Sequence, residues 1–211
     1  MRPDWPRDML ASMQEISPGI WHWTARHERI GADVSSYYLT SEHVLLDPMI
    51  PAEGMEWLEE HGPPEHVLLT NRHHDRQAWQ LQERFGCAVH CIRNGVHELE
   101  GRGRVEPFDF GDELPGGAVV YEVGAICPDE TALHFPAHAA LACADGVMHY
   151  GGKLGFVPEQ YMDDPAETKV ALRRAYARLL DLEFDRLLVA HGAPLLGGAN
   201  QALREFATAS D

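Results

Sequence analysis

Apolar and polar positions along the chain change period in a way that separates short strands from helices. Gly19 to Ala25, Val34 to Thr40 and His43 to Leu46 are short runs of β-forming residues, and the last closes on the turn signal Asp47-Pro48. Glu53 to His61 has helical spacing and is stopped by Gly62-Pro63-Pro64. His66 to Leu69 predicts a buried strand that runs into a polar loop, Thr70 to Arg76. Gln77 to Phe85 predicts a helix ending at Gly86, and Ala88 to Cys91 another strand.

The second half repeats this grammar. Ala118 to Val123, Thr131 to Phe135 and Ala139 to Ala144 predict strands, and Asp145-Gly146 reads as a turn. Asp164-Pro165-Ala166-Glu167 predicts a helix start, with Asp as cap, Pro in the first turn and a carboxylate three residues after the cap. Leu172, Tyr176, Leu179 and Leu180 form the apolar stripe of that helix. Arg186 to Ala190 predicts a strand ending at His191-Gly192, and Asn200 to Ala207 a last helix. Two β-rich halves with helices between and after them suit two stacked sheets covered by helices.

The 211 residues suffice for one domain, 1–211, with its own core. A hydrophobic share of 45% and a charged share of 24% are ordinary for a globular chain, but the net charge of −16 is not. That balance repels phosphate backbones and anionic membranes, so the expected partner is a small molecule, with no nucleic acid and no membrane. A homodimer is an ordinary expectation. Met1 to Met13 holds prolines and charges but no apolar run, which predicts no signal peptide, no membrane span and a cytoplasmic location. The four cysteines form no Cys-x-x-Cys pair and are expected as free thiols, Cys127 as a small apolar residue.

Chemistry is expected where buried strands deliver polar residues to a sheet edge, since a rigid element fixes ligands there. Two segments do so: Leu68-Leu69-Thr70-Asn71-Arg72-His73-His74-Asp75-Arg76 and Leu187-Leu188-Val189-Ala190-His191-Gly192. Their histidines and aspartate are plausible zinc or iron ligands.

On these residues the chain resembles the metallo-β-lactamase superfamily over nearly its whole length. The resemblance implies an α/β, four-layer αββα sandwich. Thr70 to Arg76 looks like the family's T-H-x-H-x-D-H loop, and Val189 to Gly192 like its final His-Gly. Met148 to Gly152 looks like the Gly-Asp segment with the bridging carboxylate. Position by position, Thr70, His73, Asp75 and His191 match, whereas Asn71, Arg76, Ile126 and Gly152 replace metal ligands. The resemblance therefore implies a degenerate site with metal ligands His73, Asp75 and His191 and one zinc, iron or manganese ion, or none. His74, Cys127 or His149 could assist.

Two functions stay open. One is a hydrolase of an ester, lactone, thioester or amide, in which Asp75 serves the site, Arg76 orients an anionic group and Asn71 donates to an oxyanion. The other is a metal-free relative that binds a small anion in the old pocket. Arg76 is always charged and cannot ligate, so it takes the charge role of a missing cation; it could also pair with Asp75. Asp75 could instead cap the helix after it.

Overall fold

A computed structural model describes residues 13–209. The reading of Met1 to Met13 therefore lies, Met13 apart, outside the described residues. Fourteen strands, four α-helices and several single 3-10 turns make up the described chain. A seven-stranded sheet has the order β1 (Gln14–Ser17), β2 (Ile20–His27), β3 (Ala32–Leu39), β4 (Val44–Leu46), β5 (His66–Leu68), β6 (Ala88–Ile92), β7 (Val105–Phe108). Its first four strands are antiparallel neighbours. From β4 to β7 the strands run parallel, as crossovers through helices require. Those crossovers hold α1 (Met55–Glu60) and α2 (Ala78–Phe85).

The second sheet contains β8 (Glu113–Leu114), β9 (Ala118–Glu122), β10 (Thr131–Phe135), β11 (Ala140–Cys143) and β14 (Arg186–Val189), in the order β14-β11-β10-β9-β8. The hairpin β12 (Met148–Tyr150) and β13 (Lys153–Gly155) stands apart from it. α3 (Pro165–Ala177) precedes β14, and α4 (Ala199–Thr208) ends the described chain.

The pleat explains the layering. Along β11, Ala140 and Ala142 belong to the core cluster shared with the seven-stranded sheet, and Leu141 and Cys143 to a second cluster. β14 divides the same way, with Leu188 on the first side and Leu187 and Val189 on the second. Alternate side chains point to opposite faces, so this sheet is buried on both. Its inner face meets the other sheet, and its outer face lies under Leu172, Tyr176 and Leu203 of α3 and α4. Leu58, Ala78 and Leu81 of α1 and α2 join the first cluster. Helices, sheet, sheet, helices is the four-layer αββα arrangement.

Local signals were obeyed where they were strong. The Asp164 side chain accepts the Glu167 N–H at 3.0 Å, with Pro165 in the first turn of α3. Gly86 closes α2 with a left-handed φ of 72°. α1 is shorter than the spacing predicts, starting at Met55 after Gly54. β1, β7, β8 and the β12–β13 hairpin were not foreseen, being short or broken by Pro and Gly. No helix among the described residues is long and apolar enough to cross a membrane. The cysteines are free, Cys127 being half-buried and the others buried.

Candidate metal centre

Three strand ends converge at one edge of the sandwich. β4 ends in Asp47, β11 runs through Ala144 into Asp145, and β14 runs through Ala190 into His191. β11 and β14 are parallel neighbours paired Cys143↔Val189, so Asp145 and His191 each stand two residues beyond the last registered pair. Gly192 follows His191 with φ +97°, and an added Cβ there would lie 2.0 Å from the His149 carbonyl oxygen. Only glycine admits that close backbone approach.

The fourth contribution is the loop after β5. Asn71 accepts the His73 N–H on Oδ1 at 2.9 Å and opens a 3-10 turn, Arg72–Asp75. The turn carries His74 inward, where it is 4% exposed, and leaves His73 on the outside. His74 Nδ1 lies 2.9 Å from Asp47 Oδ2 and 2.9 Å from Thr70 Oγ1. Thr70 is itself bound to Asp47, its N–H donating to Oδ1 at 2.9 Å and its hydroxyl to Oδ2 at 2.6 Å. On the other side of the ring, His74 Nε2 is 3.2 Å from Asp145 Oδ1, and His191 Nε2 is 3.0 Å from the same oxygen.

His74, Asp145 and His191 thus form a cluster whose ligand atoms all lie within 4.8 Å of one another. Two ligands tetrahedrally disposed at ordinary zinc distances are separated by about 3.4 Å. The Asp145 oxygen sits slightly inside that spacing from both imidazoles, and the two imidazoles have ligand nitrogens within 4.8 Å of each other, so the chemistry of this donor set fits an ion. Two nitrogens and one carboxylate are also the chemistry of an open catalytic site. Asp47, on the far nitrogen of His74, completes the carboxylate–histidine arrangement that orients metal-binding imidazoles.

The electrostatics are those of a dense charge cluster. Burial pulls the His74 imidazole down, but the carboxylates of Asp47 and Asp145 outweigh it and carry the pKa up to about 9. Burial pushes Asp145 up, yet His74 and the His191 hydrogen bond hold it well below the usual carboxylate range. Asp47 is likewise pushed up by burial and held low by His74, Arg76 and Thr70.

Of the expected ligands His73, Asp75 and His191, one belongs to the His74–Asp145–His191 cluster. His191 is in the cluster. His73 is not: it is exposed, and the turn points its neighbour His74 into the site instead. Asp75 is buried but faces elsewhere, accepting from Trp79 Nε1 at 2.8 Å and from Arg102. It neither caps α2, whose cap position is Gln77, nor pairs with Arg76. Arg76 Nη1 donates to the carbonyls of Ser35 at 2.6 Å and Asp47 at 2.5 Å, and its Nη2 is buried without a hydrogen-bond partner. Through Nη1 that guanidinium is tied to β3 at Ser35 and to the end of β4 at Asp47. Asn71 Nδ2 donates to Asp145 Oδ2 at 3.2 Å, which makes it a positioning group for that carboxylate.

Asp145 is the residue that sequence reasoning missed. Asp145-Gly146 reads as an ordinary turn, and the bridging position was assigned to Gly152. Gly152 instead lies in the β12–β13 turn with φ +75°. A signal was present: like Asp47 and His191, Asp145 is the first polar residue after a short apolar run. Of the proposed helpers, His149 bonds the Ala193 carbonyl through Nδ1 at 2.6 Å. Burial raises the Cys127 thiol to about 12, so it is protonated at neutral pH.

No protein-family model matches the sequence, and no curated protein is significantly similar to it. Solved structures do match. The metallo-β-lactamase DIM-1 superposes with a TM-score of 0.69 at 13% identity, covering 94% of this chain and 97% of the other. A metallo-β-lactamase family protein from Thermus thermophilus gives 0.65 at 16% identity, over 92% of this chain and 79% of that one. The flavodiiron protein from Giardia intestinalis gives 0.63 at 17% identity, over 97% of this chain and 59% of that one. Similarity at this level speaks for architecture and leaves activity to the site. Over more than nine-tenths of its length, the chain has the metallo-β-lactamase fold.

Proposed function

We propose that this protein is a hydrolase-like protein that holds a single metal ion between His74, Asp145 and His191 and acts on an ester, lactone, thioester or amide. The observation that carries this reading is the meeting of three ligand atoms within 4.8 Å, two beyond the ends of β11 and β14 and one on the turn after β5. When bound there, a zinc, iron or manganese ion would lower the pKa of a water and polarise a carbonyl oxygen.

The chain's own residues hold that centre in shape. Asp47 accepts the Nδ1–H of His74, so that Nε2, facing Asp145 and His191, is the nitrogen that would give up its proton to bind the ion. Asn71 fixes the second carboxylate oxygen of Asp145 through Nδ2. Arg76, packed beside Asp47 and Asp145, supplies a fixed positive charge where a second cation would otherwise be needed. The test is metal content of protein purified without a metal-affinity column. About one ion per chain, lost in His74→Ala and His191→Ala, supports this reading; none, even after incubation with excess zinc, sinks it.

One observation favours a second reading. Asp47 and Asp145 are opposed by Arg76 and by a His74 that is protonated up to about pH 9. Two carboxylates and two cations balance without an ion, as in a metal-free binding protein that keeps the pocket. Chelator-insensitive ligand binding with no metal uptake would favour it.

A further inference from the structure

Beside the metal centre lies a cavity of about 350 Å³, lined by Arg29, Arg72, His73, Asp75, Glu98 and Arg102, with Leu99 its apolar contribution. It is joined to the centre through one side chain. His73 at the cavity donates its N–H to Asn71 Oδ1, and Asn71 Nδ2 donates to Asp145. Arg72 meets Glu98 and the buried Asp129, and Arg102 meets Asp75, so three guanidinium groups stand against three carboxylates in a chain whose total is −16.

The three arginines differ in freedom. Arg72 is locked, with Nε 2.7 Å from Glu98 Oε1 and Nη1 on Asp129, whose side chain is fully buried. Arg102 is held by Asp75. Arg29, on the turn between β2 and β3, is exposed and makes no hydrogen bond or ion pair to a described residue. Two arginines therefore build the wall, and the third offers an unspent planar fork of donors, the geometry that takes a carboxylate through two parallel bonds.

We propose that this cavity is a binding site for the carboxylate of a small hydrophilic molecule, with Arg29 as its principal contact. Arg72 and Arg102 are already paired with carboxylates, and Arg29, which has none among the described residues, matches one carboxylate. A phosphate dianion would set further negative charge against Asp75 and Glu98. A lining with one apolar side chain disfavours a greasy ligand. As the anchor of a hydrolysed substrate the assignment rests on the hydrolase reading, and it narrows that substrate to a carboxylate-bearing ester, lactone, thioester or amide.

The test is a titration of the full chain, chelator-treated and zinc-loaded in parallel, followed through the backbone amide resonances of His73, Leu99 and Arg102. The probes are N-acetylglycine, its neutral amide N-acetylglycinamide and inorganic phosphate. Saturable shifts with N-acetylglycine are expected, weakened tenfold or more in N-acetylglycinamide and in Arg29→Ala, and partly kept in Arg29→Lys. Equal binding of the neutral amide, equal or tighter binding of phosphate, an unaffected Arg29→Ala, or no saturable shift would each overturn the assignment. Failure to take up zinc would defeat the hydrolase reading alone, since the chelator-treated arm still decides the cavity.

Discussion

Asp47 Oδ2 and His74 Nδ1 lie 2.9 Å apart, both almost wholly buried, with the Thr70 hydroxyl within bonding reach of each. The carboxylate leaves the seven-stranded sheet at the end of β4, and the imidazole leaves it one strand over, after β5. Two adjacent parallel strands thus hold one histidine ring in one orientation.

Asp47→Asn keeps the shape but removes the charge that sets that orientation. Zinc affinity should fall about 10- to 100-fold. Competition against a chromophoric chelator measures it, and an unchanged affinity would show that Asp47 does not orient a ligand.

His73→Ala and His74→Ala separate neighbouring residues with opposite expectations. The first should retain metal at the wild-type ratio, because His73 lies outside the His74–Asp145–His191 cluster. The second should lose it. Metal per chain by mass spectrometry distinguishes them, and the reverse pattern would restore the ligand set first read from the sequence.

Gly192→Ala is expected to be severe. The added methyl would meet the His149 carbonyl at 2.0 Å while φ stays at +97°. Destabilisation of about 2 kcal/mol or more follows from strain and overpacking together. Gly86→Ala, with φ +72° but open space around it, should cost only about 1 kcal/mol. Thermal melts of the two variants should be clearly separated in this order.

Stability should weaken in mild acid through His22. Burial lowers its pKa from 6.5 to about 4, so the unfolded chain takes up the proton first. Its contribution is full above about pH 6.5 and is lost as pH falls towards 4, by up to about 3 kcal/mol. Urea melts across that window should show the slope in the wild type and a reduced slope in His22→Gln. The same slope in both would mean that another group is responsible.

Much of the architecture was legible because burial writes itself into composition. β5, β6, β11 and β14 are covered on both faces and read as short apolar runs, and α3 announces itself through Asp164 and Pro165. β12 and β13, three residues each around two glycines, carry no such signal. The site was half legible for a related reason. His191 is delivered by a strand whose end is plain in the sequence. His74 is selected by a turn that Asn71 shapes through one hydrogen bond, and spacing along a motif does not reveal which way a 3-10 turn points each side chain. Asp145 was hidden because Asp-Gly is so common a turn that its site role had no separate mark.

The three donors are not mounted alike. Asp145 and His191 extend from one hydrogen-bonded parallel ladder, so their separation is as stiff as the sheet. His74 rides on a turn whose neighbour Arg76 has φ +37°. The centre resembles a vice with one fixed jaw and one sprung jaw. Ions of different radius would be accommodated almost wholly by displacement of the 72–75 turn. Selectivity between metals would then be tuned by substitutions in that turn's supports, Asn71, Asp47 and Arg76, without touching a ligand.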